Sequence, residues 1–244
     1  MAESKSQTPN SLNSRAVRMR AILRKYIPPG LIDYVREAAD QGLDSIPNQR
    51  SDLTFLFADL VSFTSFSESR TPDQVVEMLN LSIGATSSVI HYWNGKVNKF
   101  MGDSIFATFE EPVHAVIAGI EMQKQFQIMN LIGVKDLAEE IKVRIGIHSG
   151  PCLLASIGTE GYMDFTAIGD SVNIAARLEK ACRPGAVLAS NETAKRIGNQ
   201  ILISHATQIE AKGKSSLIDA IYIDRIRYES PKGVIETGLD DELF

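Results

Sequence analysis

The residues best placed to do chemistry fall in stretches where charge interrupts apolar sequence. In Phe57-Ala58-Asp59-Leu60-Val61-Ser62-Phe63-Thr64, an aspartate closes a strongly apolar run and a short loop follows. A carboxylate at a strand end is placed to hold a hard cation, and free amides in such a loop can meet phosphate. In Val97-Asn98-Lys99-Phe100-Met101-Gly102-Asp103-Ser104, Gly102-Asp103 reads as a hairpin turn. Lys99 sits on the incoming strand, where alternation puts residues 97, 99 and 101 on one face. If the two apolar runs are neighbouring strands, Asp59 and Asp103 meet at one end of a sheet. Like charges so close favour a shared Mg²⁺ or Mn²⁺ over an empty site.

The third stretch runs from Thr166 through Ile168-Gly169-Asp170 to Asn173, Arg177 and Glu179. Asn173 and Arg177 are four apart and share a helix face. An arginine beside an asparagine suits an oxyanion or phosphoryl group. Arg144, which interrupts the apolar run Val143–His148, and the basic turn Lys212-Gly213-Lys214 fit the same anionic ligand. Taken singly, each stretch also has an ordinary structural reading: a turn aspartate, a hairpin aspartate, a solvated helix face with an Asp170 cap. His148 has no acidic or thiol neighbour in sequence and reads as structural.

The elements that must position these residues follow from punctuation and periodicity. Leu53–Ala58 is nearly all apolar and predicts a strand buried on both faces. Thr71-Pro72-Asp73 starts a helix to about Tyr92, with a capping residue and a proline at the first position. Strands are expected at Lys96–Met101 and Ser104–Phe109, then a helix from Pro112 to about Met129. Further strands are expected at Lys142–His148 and Cys152–Ile157, with a helix over Val172–Ala181. Val187–Ala189, Gln208–Ala211 and Ala220–Ile223 read as short strands.

Four regions are expected along the chain. Residues 1–14 are polar and read as disordered. Residues 15–49 form a helical lead-in and linker. In it, Val17, Met19, Ile22, Leu23 and Tyr26 interleave with Arg15, Arg18, Arg20, Arg24 and Lys25 as a basic amphipathic helix. That helix is either a docking element for a regulatory partner or a membrane surface, or a signal-coupling or dimer-forming lead-in whose basic face is simply solvated. Residues 50–225 carry the mixed α/β texture, and 226–244 read as an acidic mobile tail.

Composition narrows the function classes. With 44% hydrophobic and 23% charged residues, the 244-residue chain is that of an ordinary folded protein rather than a disordered one. A net charge of −5 argues against a broad nucleic-acid surface. No apolar run approaches the roughly 18–20 residues a membrane span needs, and the polar N-terminus is not a secretory signal. Cys152 and Cys182 lack ligand spacing and read as buried free thiols in a reducing, cytoplasmic setting.

Together and in this order, FADLVSFT, KFMGD, RIGIHSG, TAIGDSVNIAARLE and AKGK resemble the class III adenylyl and guanylyl cyclase catalytic domain over roughly residues 50–225. The lead-in RKYIPPGLIDYV also looks like segments that precede this domain in bacterial members. The resemblance implies an α+β, ferredoxin-like (βαββαβ-type) fold with an antiparallel-rich sheet and flanking helices. It implies two divalent cations per site, Mg²⁺ or Mn²⁺, on Asp59, Asp103 and the Leu60 carbonyl. The amides near Phe63 and Thr64, with Arg144 and Lys212, match the phosphate-binding groups. Lys99 and Thr166 match the pair that reads the base, and Asn173 and Arg177 the transition-state pair.

In the family these groups face each other across a dimer, so a homodimer with shared sites is expected, converting ATP to cyclic AMP and pyrophosphate. Lys99, a donor only, suits the adenine N1 acceptor and mismatches guanine N1–H. Thr166 replaces the aspartate of the better-known adenylyl cyclases and resembles a bacterial threonine-containing subclass. The alternatives are a guanylyl or dual-specificity cyclase, or a catalytically silent nucleotide-binding module.

Overall fold

The computed structural model describes residues 9–132, 140–210, 217–231 and 233–241, in two units divided after Ile46. The first unit contains helices α1 (Pro9–Leu23) and α2 (Pro29–Asp40). α1 begins before Arg15, where the helix was expected, so part of the stretch expected to be disordered is helical. Val17, Met19, Ile22, Leu23 and Tyr26 are all exposed. α2 has Pro29 in its first turn and ends at Gly42 (φ +72°), whose N–H bonds the Ala39 carbonyl at 3.0 Å. That left-handed position is one a glycine adopts at no steric cost.

The second unit is built around β1 (Gln49–Leu60), where Thr54–Ala58 are buried, as the all-apolar run predicts. A short helix α3 (Phe63–Glu68) leads to α4 (Pro72–Tyr92), entered through a capping box between Thr71 and Gln74. The hairpin β2 (Lys96–Met101) and β3 (Ser104–Phe109) has the spans expected, and α5 (Pro112–Leu131) follows. β4 (Val143–Thr159) then pairs antiparallel with β1, which already pairs antiparallel with β3. This gives a β1-α-β2-β3-α-β4 progression with strand order β2-β3-β1-β4, in keeping with the α+β, ferredoxin-like fold implied.

β4 forms a hairpin with β5 (Tyr162–Ile168), and α6 (Asp170–Ala181) follows. β6 (Ala186–Ser190) lies parallel to β4, α7 (Asn191–Ile197) follows it, and β7 (Ile201–Ile209), β8 (Ile218–Ser230) and β9 (Gly233–Gly238) complete a nine-stranded sheet. α4 and α5 pack together, and α5 contributes Val116, Ile117, Ile120, Met122 and Phe126 to the core. Within α5 the buried Gln123 amide donates to the Val143 and Ala186 carbonyls at 3.0 and 2.9 Å, joining the starts of β4 and β6.

The structure corrects three expectations. The strands expected at 142–148 and 152–157 are one strand. Gly150-Pro151 does not interrupt it, because the ladder to β1 continues through Asp52↔Pro151 and Arg50↔Leu153 while β5 pairs on the other side. β7 and β8 extend well beyond the short runs expected. Most of β7 is exposed, so apolar alternation could not mark it, and the ladder to β8 defines it instead. Residues 226–231 and 233–241 do not form a free tail: β9 pairs with β8, and Asp241 pairs with Lys124 at 2.6 Å. Burial alone would raise the Asp241 carboxyl, but the hydrogen bond from Lys124, with help from Gly238 N–H and Arg225, holds it down to about 2. Among the described residues no helix is long and apolar enough to cross a membrane.

Candidate active site

The β1–β3 ladder places Asp59 opposite Ser104, the residue after Asp103. Asp59 and Asp103 line one crevice with Leu60, Ser82 and Thr86, so the sheet brings together the two aspartates that lie far apart in sequence. Asp59 is held from both sides. Ser104 Oγ donates to its Oδ1, and Arg144, its register partner on β4, donates from Nη2 to its Oδ2. Burial, reinforced by the neighbouring Asp59 charge, raises the Asp103 carboxyl above its ordinary range. Two hard oxygen donors in one crevice, the second strained by the charge of the first, fit a divalent cation.

Beyond Asp59 the chain turns sharply. Val61 N–H bonds the Lys142 carbonyl at 2.8 Å, Ser62 adopts a left-handed conformation (φ 62°), and α3 begins at Phe63. Ser62 makes no side-chain cap. The first amides of a helical turn, here those of Phe63 and Thr64, have no intrahelical acceptor, which leaves them available to an anion.

Arg144 also faces Glu179, with Nε 3.4 Å from Oε1. Burial draws the Arg144 pKa down, but its bond to Asp59 and the charges of Glu179 and Asp59 outweigh it, so the net shift is upward. The Glu179 side chain is only 8% exposed. Burial first, and repulsion from Asp59 second, push its carboxyl up to about 7 against the opposing pull of Arg144 and Lys180. Sequence reasoning passed over Glu179. It follows Arg177 by two residues, which places it on a different side of α6, toward the sheet. The local signal was Gly146: a Cβ there would lie 2.0 Å from Glu179 N, so only glycine lets α6 approach β4 this closely.

Elsewhere on α6, Asn173 is exposed and Arg177 half-buried, and among the described residues Arg177 Nη1 is buried without a hydrogen-bond partner, as are Arg144 Nε and Glu179 Oε1. A buried guanidinium donor left unsatisfied is costly unless something else fills it.

At the far edge of the hairpin the register shifts between Val97 and Lys99. The simple alternation expected for 97, 99 and 101 is therefore broken: Asn98 is the extra residue of a bulge, Val97 is buried and Lys99 half-buried. Lys99 Nζ donates to Asp164, and Thr166 Oγ1 donates to Asn98 Oδ1 at 3.2 Å. The structure thus brings Lys99 and Thr166 to the same two strands. Asp164 and Asn98 are participants that the motifs did not single out. Lys212 lies outside the described residues.

His148 is buried, with Nδ1 2.7 Å from Ser190 Oγ, and burial lowers its pKa to about 4. It belongs to the packing of β4 on β6. Cys152 and Cys182 are free and buried.

The fold coincides with that of a known family. The model of the adenylate and guanylate cyclase catalytic domain matches residues 46–223, and the chain belongs to that family. Adenylate cyclase 1 of Rhizobium meliloti (strain 1021) is 31% identical over 179 residues, 70% of this chain and 27% of that protein. The chain therefore spans about a quarter of the length of that relative. The crystal structure of the adenylyl cyclase CyaB from P. aeruginosa shares 29% identity with a TM-score of 0.69, over 72% of this chain and 95% of that one. The guanylyl cyclase Cya2 is nearly as similar, at 27% identity and TM-score 0.67, over 73% of this chain and 94% of that one. The likeness therefore extends to cyclases named for either nucleotide.

Proposed function

We propose that the chain is an adenylyl cyclase that closes ATP to 3′,5′-cyclic AMP with release of pyrophosphate, in a homodimer whose sites are completed by both copies. The observation that carries this reading is the crevice that Asp59 and Asp103 line together. Asp59, Asp103 and the Leu60 carbonyl would hold two divalent cations, Mg²⁺ or Mn²⁺. When bound, these supply acidification of the ribose 3′-hydroxyl and neutralisation of phosphate charge.

The remaining roles follow from the chemistry of each side chain. Arg177, with an unfilled Nη1, would donate to the α-phosphate oxygens as charge builds during in-line attack by the 3′-oxygen. Asn173 would position the ribose. The Phe63 and Thr64 amides, Arg144 and Lys212 would take the phosphates of the leaving group. Lys99 would donate to adenine N1 and the Thr166 hydroxyl would accept from the adenine amino group. The dimer reading is supported by exposed apolar residues on β2 and the β4–β5 hairpin: Phe100, Met101, Ile157, Tyr162 and Met163.

In this reading residues 50–225 are the catalytic domain, working in the cytoplasm, and the basic α1 is a lead-in where a regulatory partner would dock. The test is a product assay with Mn²⁺ and equal ATP and GTP across protein concentration. Cyclic AMP should dominate, with specific activity rising with concentration. Dominant cyclic GMP would overturn the base assignment in favour of a guanylyl or dual-specificity cyclase, the second reading that the likeness to Cya2 supports.

A further inference from the structure

Arg144 faces two carboxylates and is bonded to one. Its Nη2 donates to Asp59 Oδ2, while its Nε stands 3.4 Å from Glu179 Oε1. That second approach is not closed: Nε and Oε1 are both buried, and neither has a hydrogen-bond partner among the described residues. The Glu179 side chain is only 8% exposed, so water offers its carboxyl little compensation. A buried polar group left unbonded is costly. The fold nevertheless makes room for it. Residue 146 on β4 is glycine, and any side chain there would collide with the α6 backbone at Glu179.

The bonded partner is the one a cation would claim. Asp59 accepts from Ser104 at Oδ1 and from Arg144 at Oδ2, so each of its oxygens already has a donor. A divalent cation on Asp59 competes with the guanidinium for that carboxylate. It also repels the guanidinium, and in a half-buried crevice water and salt screen that repulsion weakly. Arg144 then needs a second anchor. Among the described residues its ion-pair partners are Asp59 and Glu179, and Glu179 Oε1 is the atom still without a donor.

We propose that Glu179 is a positioning residue for Arg144: it takes the guanidinium when a divalent cation takes Asp59, and so lets the cation bind without expelling the arginine. The proposal rests on the assignment of the cations to Asp59 and Asp103, and is independent of which base is read.

The test titrates Mn²⁺ alone against the full chain, with free Mn²⁺ read by electron paramagnetic resonance. The variants are Glu179→Gln, Glu179→Met, Arg144→Met, the Glu179→Gln/Arg144→Met double variant and Asp59→Asn. Glu179→Gln keeps the shape of the buried side chain without its charge. It should weaken Mn²⁺ binding by about 2–10-fold, the size of one hydrogen bond's net contribution, and raise the Mn²⁺ concentration for half-maximal activity in parallel. Glu179→Met removes the carboxyl without stranding a polar group and should weaken binding to the same extent, which guards against a glutamine variant that does not fold. In the Arg144→Met background Glu179→Gln should weaken Mn²⁺ binding no further, because its effect runs through the guanidinium. Equal weakening in that background means that Glu179 acts on the cation by charge alone, and overturns the proposal. So does a Glu179 variant whose melting temperature changes while its Mn²⁺ affinity stays at wild type. If Asp59→Asn leaves Mn²⁺ binding unchanged, the cation assignment falls and the proposal with it.

Discussion

α6 divides two regions that treat charge in opposite ways. On its sheet side, Arg144 lies between Asp59 and Glu179 within ion-pair distance of both, and Ser104 donates to Asp59, although Arg144 Nε and Glu179 Oε1 make no hydrogen bond among the described residues. Elsewhere on the helix, Asn173 is exposed and Arg177 keeps a buried nitrogen with no hydrogen-bond partner among the described residues. One region sets opposite charges side by side; the other holds a guanidinium with no ion-pair partner among the described residues. The contrast suggests a division of labour. In the proposed reading, groups that would hold cations have an opposite charge beside them, while the group that would meet a transient negative charge has none until that charge forms.

The sharpest way to break this comparison is to remove one member from each region. Arg177→Ala should lower kcat by about 10²–10³-fold, as for loss of one preorganised transition-state donor. Its melting temperature should stay close to wild type, since the lost nitrogen has no hydrogen-bond partner among the described residues. Asp59→Ala should also abolish cyclase activity, but with a change in thermal stability, because it strands Arg144 in a half-buried position. Equal thermal effects from the two variants would erase the distinction.

Reversing the chemistry of Lys99, the proposed contact to the base, comes next. Lys99→Glu replaces a donor by an acceptor and should shift the ATP:GTP preference toward GTP by about tenfold or more, read from kcat/KM for each nucleotide. Gly146→Ala tests the packing that brings α6 to β4. A methyl group 2.0 Å from Glu179 N must push helix and strand apart, and overpacking of this kind costs about 1–3 kcal/mol, visible in a denaturant titration.

The smallest expected effect is a pH dependence. Glu179 in an unfolded chain ionises near 4.5, but the fold keeps its proton until about 7. Between those values the folded state binds more protons than the unfolded one. Its contribution to stability is therefore full below pH 4.5 and is lost as the pH rises through about 7. Glu179→Gln keeps the shape without the charge, so its melting temperature relative to wild type should increase between pH 5 and pH 8, by a few degrees. A constant difference across that range would mean that Glu179 is ionised throughout.

How much was legible beforehand follows from the range of each signal. β2 and β3 have the expected spans because turn residues and apolar runs bound them locally. The helices at Pro72 and Pro112 announce themselves in the same way. The meeting of Asp59 and Asp103 was anticipated because a hairpin edge and a strand end are simple to bring together once the strands neighbour each other. β9 and most of β7 carry no local mark, since exposed strands show little apolar alternation and are defined by the partner they pair with.

Sequence alone determined the chemical inventory: which carboxylates, cations and amides exist, in what order, and which local elements carry them. The tertiary structure alone decided which of these groups answer one another. A bulge at Asn98, invisible in composition, sends Lys99 to Asp164. A glycine at 146 lets Glu179 reach Arg144. The physical reason is range: propensity and capping act over a few residues, whereas a charge is satisfied by whatever the packed chain places within a few ångströms, however far away it lies in sequence.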